Sequence, residues 1–217
     1  MATAAFFDLD GTLLTVNSAN LWVRRELRLG RIRRWQFLRA ALWLGGYRLG
    51  VLDMESALTA ALGQLRGLEE EPIRRETQLW WRDEVRPLIA PGSRAVLETH
   101  RKRGDALVLL TSSSRYAAEM ATLEFGLDHA LFQGYEVVDG RFTGAPLRPL
   151  CYGSGKVELA EAWARGAQVD LSKSAFYSDS FTDLPMLERV GAPHAVHPDL
   201  RLRRVARRRG WPNLDWR

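Results

Sequence analysis

The chain has 217 residues, of which 46% are hydrophobic and 26% are charged, and it contains one cysteine. This size and composition describe an ordinary globular protein with one domain, or one domain carrying a smaller insertion, and exclude an internal disulfide. The net charge of +5 comes from the carboxyl end, because residues 199–217 contain seven arginines and two aspartates and the remaining residues balance to zero.

The amino terminus lacks the basic, apolar and small-residue pattern of a secretory signal. The most apolar window, residues 37–49, is interrupted by Arg39, Gly45-Gly46 and Arg48, so we expect no membrane span. A lone Cys151 fits a reducing compartment. The sequence therefore predicts a cytoplasmic protein.

The first predicted element is a buried strand, since Ala4-Ala5-Phe6-Phe7 is a short apolar run. Apolar residues then recur at helical spacing, and this predicts helices over residues 18–29, 31–44, 53–65 and 69–85. Asn17 and Ser18 are good residues for a helix start, and Pro87 ends the last helix. We expect no strand in residues 17–87, which form an all-helical block inserted after the first strand.

The remainder of the chain alternates strands and helices. The pattern predicts strands over residues 106–111, 174–178 and 192–196, and helices over residues 94–103, 115–125, 156–165, 184–189 and about 200–209. Asp139-Gly140 predicts a hairpin turn between strands 132–138 and 141–143. The fold class is therefore α/β, with a parallel sheet flanked by helices in residues 1–16 and 88–217.

Polar side chains lie at the ends of these predicted strands and at helix starts. Right-handed crossovers bring such positions to one edge of a parallel sheet. Carboxylates supply oxygen ligands for Mg²⁺, while a hydroxyl at a helix start and a lysine suit a phosphate group. The sequence predicts a magnesium-dependent phosphate site at this edge, formed by Asp8, Asp10, Thr111, Ser112, Lys156, Asp179 and Asp183.

Four stretches resemble the motifs of the haloacid dehalogenase superfamily in their order. They are residues 7–12, residues 109–112, Lys156 and residues 178–183. The resemblance covers essentially the whole chain, because residues 17–87 fall where that superfamily inserts a helical cap of the C1 type into a Rossmann-like core. The subclass called IB, which is phosphoserine-phosphatase-like, is resembled by the cap, residues 184–188, His197-Pro198-Asp199 and Gly210-Trp211.

The resemblance implies a Mg²⁺-dependent phosphatase that acts on a small phosphate ester through an aspartyl phosphate. It makes Asp8 the nucleophile and Asp10 the general acid and base. Phosphate is then bound by Asp8, Gly11, Thr111, Ser112 and Lys156. Mg²⁺ is bound by Asp8, Asp179 and the backbone carbonyl of Asp10, with Asp183 and Thr182 supporting the ligands from outside.

Three positions depart from the phosphoserine phosphatases. Asn17 corresponds to an acidic residue there, Ala61 to a cap arginine, and Thr182 to an asparagine. These changes weaken the case for phosphoserine, and other small esters such as histidinol phosphate stay open. The candidate residues for substrate choice are Asn17, Asn20 and Trp22.

An alternative function comes from the basic carboxyl end. A chain of this fold with little or no catalysis could bind nucleic acid or an anionic surface through residues 200–209. However, Leu202, Val205 and Ala206 share one side of the predicted helix, which favours docking on the sheet with the arginines in water. Nucleic acid is therefore not the expected partner, and the sequence does not predict an oligomeric state.

Overall fold

The computed structural model describes residues 2–31 and 54–217. Its main sheet has six strands in the order β3-β2-β1-β6-β7-β8, and every pair in it is parallel. A separate antiparallel hairpin is formed by β4 and β5. The strands are β1 (Ala4–Phe7), β2 (Ala106–Ser114), β3 (His129–Gln133), β4 (Tyr135–Val138), β5 (Arg141–Pro146), β6 (Ala175–Ser178), β7 (Ala192–Val196) and β8 (Asn213–Leu214).

Helices cover both faces of the sheet, which confirms the predicted α/β class. Leu97 and Phe125 belong to the core on one face, and Ala160, Met186 and Leu202 belong to the core on the other. The central strand β1 is buried on both faces, as its continuous apolar sequence predicts. The helices are α1 (Ser18–Arg28), α2 (Met54–Gly63), α3 (Glu70–Trp80), α4 (Ser93–Arg103), α5 (Arg115–Phe125), α6 (Ser154–Ala167), α7 (Leu184–Arg189) and α8 (Leu200–Arg209).

The predicted strand 132–138 is wrong, because the chain is divided at Gly134. Residues before it join the sheet as β3, and residues after it form the hairpin. The side-chain amide of Gln133 donates to the carbonyl groups of Gly134 and Leu147, which fixes this corner. A β-carbon at Gly134 would lie 2.8 Å from Leu147 Cδ1, so a larger residue there would displace the Leu147 side chain.

Two further differences concern strand β8 and the helix predicted over residues 31–44. Strand β8 was not predicted, since two residues are too few to give a pattern. The predicted helix 31–44 lies outside the described residues apart from Arg31. Within residues 17–31 and 54–87 the structure contains no strand, as expected, although Glu69 forms an isolated bridge with Arg141.

The hairpin is hydrogen-bonded to the inserted block. The N–H of Gly67 donates to the carbonyl of Phe142 (2.8 Å), and the N–H of Phe142 donates to the carbonyl of Leu68 (3.0 Å). A third bond runs from the N–H of Glu70 to the carbonyl of Gly140 (2.9 Å). The insertion and the hairpin thus share a short backbone ladder, although about seventy residues of chain separate them.

The carboxyl end packs on the sheet as predicted. Leu202, Val205 and Ala206 of α8 are buried, and Asp199 begins the helix by accepting two backbone N–H bonds at 2.8 Å. The carbonyl of Trp216 accepts from the N–H of Gly92 (2.9 Å), which ties the terminus to the start of α4. None of the helices in residues 2–31 and 54–217 is long and apolar enough to cross a bilayer.

Candidate active site

A buried lysine joins two carboxylates at the carboxyl edge of the sheet. Lys156, in the first turn of α6, is 1% exposed. Its Nζ donates to Oδ1 of Asp8 (2.9 Å) and to Oδ2 of Asp183 (2.8 Å). The hydroxyl of Ser178 also donates to Oδ2 of Asp183 (2.7 Å). The fold therefore brings together three of the predicted site residues from three separate parts of the chain.

The charges in this cluster depend on one another. Burial raises the pKa of Asp8 to about 7, even though the ammonium group of Lys156 opposes the shift. Burial by itself lowers the pKa of Lys156, but the carboxylates of Asp183 and Asp8 outweigh it, and the net shift is upward. Lys156 is therefore a permanent cation. It favours the ionised form of Asp8, whose buried carboxylate is not stabilised by bulk water.

Asp179 lies against the loop that follows Asp8. Gly11 in that loop has φ of +73°, and a β-carbon there would overlap the Asp179 carboxylate. Burial, together with the charges of Asp8 and Asp183, raises the pKa of Asp179 to about 8. The sequence therefore needs glycine at position 11 both for the left-handed turn and for the close approach of a carboxylate.

Asp10 is held by two serines. Its Oδ1 accepts from the backbone N–H of Ser18 (2.9 Å), and its Oδ2 accepts from the hydroxyls of Ser18 (3.0 Å) and Ser113 (3.1 Å). Burial raises the pKa of Asp10, and these hydrogen bonds oppose the rise. No spacing rule links either serine to Asp10, so the sequence alone does not predict these hydrogen bonds.

Thr111 and Ser112 lie near the end of β2, which is longer than predicted and runs on to Ser114. Thr111 is buried, and its hydroxyl oxygen accepts from the N–H of Ser113 (3.1 Å). The hydroxyl of Ser112 donates to the carbonyl of Cys151 (2.7 Å), so its proton is already used. Helix α5 begins after Ser114, whose hydroxyl accepts from the N–H of Ala117.

Thr182 supports a turn of the backbone. Its hydroxyl lies 2.9 Å from the hydroxyl of Ser180, and Ser180 also accepts from the N–H of Thr182. This turn, residues 181–183, ends at Asp183. Thr182 thus lies beside the acidic cluster without a hydrogen bond to Asp179 or Asp183 among the described residues.

The three candidates for substrate choice lie at the start of α1. The side chain of Asn17 accepts from the N–H of Asn20 (2.9 Å), and both residues are exposed. Trp22 packs edge-to-face on Trp80 (ring centroids 5.1 Å apart), with the guanidinium of Arg25 over its ring. Asn17 and Trp22 therefore have structural roles, and a contact with substrate stays a prediction.

The donor set fits a divalent cation. The charge of Asp8 raises the pKa of Asp179, and a cation between the two carboxylates would remove that repulsion. Within the described residues no three Asp, Glu, His or Cys side chains are grouped to bind one ion. Two carboxylates completed by a backbone carbonyl, water and substrate oxygens suit Mg²⁺, which keeps few protein ligands.

The sequence profile of the family described as haloacid dehalogenase-like hydrolase matches residues 5–188, from β1 to α7. The chain belongs to this family. The match includes every acidic residue of the cluster as well as Lys156, and it spans the inserted block, so membership applies to the whole arrangement described above.

Three relatives cover nearly the whole chain. It is 35% identical over 99% of its length to the "Inhibition of morphological differentiation protein" of Streptomyces azureus, of which it covers 78%. It is 28% identical to a histidinol-phosphatase of Neisseria meningitidis over 100% of both chains. It is 30% identical to phosphoserine phosphatase SerB1 of Mycobacterium tuberculosis, over 100% of this chain and 72% of that protein.

A solved structure supports the fold over its full extent. The crystal structure of a protein with unknown function from Bordetella pertussis Tohama I covers 100% of both chains, with a TM-score of 0.90 and 31% identity. The predicted resemblance to the superfamily is therefore confirmed by sequence and by fold.

Proposed function

We propose that this chain is a Mg²⁺-dependent phosphatase that hydrolyses a small phosphate monoester through an aspartyl phosphate on Asp8. One observation carries the proposal: the buried cation of Lys156 lies between Asp8 and Asp183 at the carboxyl edge of the sheet. Relatives named histidinol-phosphatase and phosphoserine phosphatase support the same reaction class.

In the first step a carboxylate oxygen of Asp8 attacks phosphorus, and the bond from phosphorus to the ester oxygen breaks. This divides one hard displacement into two easier ones. Lys156 assists because its charge favours the ionised form of Asp8 and attracts the phosphate anion. Only Oδ1 of Asp8 accepts from Lys156 among the described residues, so Oδ2 remains available for the attack.

Asp10 transfers the protons in both steps of the reaction. In its neutral form it donates a proton to the departing alkoxide, and the resulting carboxylate then takes a proton from the water that attacks the phosphoenzyme. That attack breaks the bond between phosphorus and Asp8 and releases inorganic phosphate. Burial of Asp10 raises its pKa, which supports the acid role because the neutral form becomes more abundant near neutral pH.

Mg²⁺, when bound, neutralises charge on the phosphate so that an anionic nucleophile can approach. We assign its ligands to the carboxylates of Asp8 and Asp179 and the backbone carbonyl of Asp10. Asp183 holds Lys156 in place, and Thr182 shapes the turn before Asp183. The phosphate oxygens are assigned to Thr111, Lys156 and the backbone N–H group of Ser112. The N–H of Gly11, which was also predicted to bind phosphate, donates to the carbonyl of Val16 (3.1 Å) in this structure.

The substrate is proposed to be a small phosphorylated metabolite. The insertion, residues 17–87, is proposed as the cap that selects it, with Asn17 and Asn20 at its exposed start. Ala61 stands at the position of the arginine that the family resemblance pairs with the carboxylate of phosphoserine, and histidinol phosphate carries no carboxylate. Histidinol phosphate is therefore a better first candidate than phosphoserine, and it agrees with a relative that matches the chain end to end.

The proposal is tested by phosphate release from a panel that includes phosphoserine, histidinol phosphate and p-nitrophenyl phosphate, with Mg²⁺ or with excess EDTA. We expect turnover only with the metal. Asp8→Asn is expected to lower kcat by about a thousandfold or more, because asparagine is a poor nucleophile. Asp170→Asn, at a half-buried aspartate far along the chain from Asp8, is the control.

Two results would contradict the proposal. One is hydrolysis that continues at the same rate in EDTA. The other is an Asp8→Asn variant that keeps wild-type turnover while its circular dichroism spectrum confirms the fold.

A further inference from the structure

Three rings stand side by side on one face of the sheet. Phe7, Tyr177 and His194 are in register on β1, β6 and β7. The rings of Phe7 and Tyr177 are stacked with centroids 5.0 Å apart, and those of Tyr177 and His194 with centroids 4.4 Å apart. We call this set the ring row. Because Phe7 directly precedes Asp8, the ring row lies just behind the candidate active site.

The next row toward the amino ends of the strands consists only of alanines. Ala5, Ala175 and Ala192 are in register on the same three strands, two residues before the ring row. Side chains alternate between faces along a strand, so both rows project from the same face. A row of methyl groups beside a row of rings leaves a hollow in the packing.

A cavity of about 400 Å³ occupies this region, a size typical of pockets for small molecules. Ala175 and Ala192 line its floor, and Val96 and Arg103 of α4 line the opposite wall. The ring row separates the cavity from the carboxyl edge of the sheet. It is therefore distinct from the proposed phosphatase site.

The acid in the cavity wall is already satisfied. One oxygen of Asp105 accepts from the hydroxyl of Thr3, and the other accepts from Nδ1–H of His100 (2.7 Å). In the neutral ring the Nε2 atom of His100 then accepts from the hydroxyl of Tyr177 (2.8 Å). Each oxygen of Asp105 therefore already accepts one hydrogen bond, and its negative charge is balanced in part by Arg103.

Two exposed cations and one buried ring nitrogen of this cavity remain open to a ligand. Arg103 is exposed, and its charge helps to lower the pKa of Asp105, although no salt bridge joins the two side chains among the described residues. Lys173 is 68% exposed in its side chain and lies 3.8 Å from Asp170. The Nδ1 atom of His194 is buried without a hydrogen-bond partner among the described residues, which is rare for a buried polar atom.

We propose that this cavity binds a small organic carboxylate, whose anionic end contacts Arg103 and Lys173 and whose apolar body lies on the methyl groups of Ala175 and Ala192. The ligand also supplies a polar neighbour for Nδ1 of His194. An uncharged molecule of the same shape lacks the first contact and binds more weakly. This binding does not depend on the proposed phosphatase reaction.

The test is a titration with benzoate followed by NMR of protein labelled on the alanine methyl groups. We expect saturable shifts of the Ala175 and Ala192 methyl signals, with a dissociation constant in the millimolar range (~1 mM) for so small a probe. Benzamide, which has the same shape without the charge, is expected to bind at least about tenfold more weakly. Arg103→Gln is expected to weaken benzoate binding by a similar factor.

Two variants serve as controls. Lys102→Gln removes a neighbouring cation of the same helix that does not line the cavity, and it is expected to leave benzoate binding unchanged. Ala192→Leu fills the cavity and is expected to abolish binding, with the thermal melting curve as the check of folding. Absence of saturable shifts with benzoate, equal binding of benzamide, or unchanged binding in Arg103→Gln would each overturn the proposal.

Discussion

The Nζ atom of Lys156 lies 2.9 Å from Oδ1 of Asp8, although 148 positions separate the two residues in the chain. Both side chains are almost fully buried, at 2% and 10% exposure. A buried ion pair contributes little net stability, but removing one partner leaves an uncompensated charge, which is costly. The same contact therefore matters for folding as well as for the proposed attack on phosphorus.

We predict that Lys156→Met lowers the free energy of unfolding by about 3 to 5 kcal/mol at pH 8, because Asp8 and Asp183 lose their cation. The loss should be smaller at pH 5, where Asp8 with its raised pKa is protonated. Urea unfolding of the wild type and the variant at the two pH values measures this loss of the free energy of unfolding. Lys173→Met, at an exposed lysine, is the control, and equal stability of the two variants would refute the argument.

Gly11→Ala is predicted to abolish Mg²⁺-dependent turnover, because the new β-carbon overlaps the carboxylate of Asp179. Gly104→Ala is a matched control, since Gly104 has a similar φ of +77° but no atom within 4 Å of a built β-carbon. Both variants pay the cost of a left-handed alanine, about 1 kcal/mol. Phosphatase assays over a range of Mg²⁺ concentrations separate them, and equal activity of the two variants would contradict the role given to Asp179.

Ser18→Ala and Ser113→Ala are predicted to lower kcat about tenfold each with little change in KM, because Asp10 loses the hydrogen bonds that orient it for proton transfer. The loss should be larger for alkyl phosphates than for p-nitrophenyl phosphate, whose leaving group needs no proton. Ser18→Thr keeps the hydroxyl and should restore the rate. A uniform loss across leaving groups would indicate a structural role alone.

The stability of the metal-free protein is predicted to fall as the pH rises from 6 to 8.5. Burial raises the pKa of Asp8 to about 7 and that of Asp179 to about 8, from an ordinary value of 3.8. Between pH 3.8 and these raised pKa values, the folded state therefore binds more protons than the unfolded state. The stability that comes from these protons is fully present below about pH 4 and is lost as the pH rises through the folded-state pKa values.

Mg²⁺ binds the ionised carboxylates, so it should raise the melting temperature more at pH 8.5 than at pH 6. Differential scanning calorimetry with and without the metal measures this difference. Asp179→Asn should reduce the pH dependence, and Asp170→Asn should leave it unchanged because the pKa of Asp170 is lowered. Stability that increases with pH in the absence of metal would disagree with the burial of these acids.

Much of the arrangement could be predicted because it follows from local rules. The apolar run before Asp8 and the run before Thr111 each indicate a buried parallel strand, and strand direction then places their ends at one edge. Lys156 follows two glycines at a helix start, and the resemblance to a known family implies that it binds phosphate. The structure places Lys156 beside Asp8, and β1 beside β2.

What could not be predicted depends on contacts between distant segments. The two serines that hold Asp10 come from different segments, and no spacing in the sequence relates Ser18 to Ser113. A β-prone run divides at Gly134, where the side chain of Gln133 donates to the carbonyl of Leu147, and this contact exists only in the folded chain. The alanine row beneath the rings is visible only once the register of three strands is known.

The backbone ladder between residues 67–70 and 140–142 has a consequence for engineering substrate choice. Gly144 approaches Gly63 so closely that a built β-carbon would lie 3.3 Å from its Cα atom, so the two segments fit as a matched pair. If residues 17–87 were replaced by those of a relative, the new segment would have to pack against a β4–β5 hairpin that fits the original residues. The unit that can be exchanged between family members is therefore discontinuous, and it comprises the insertion together with residues 135–146.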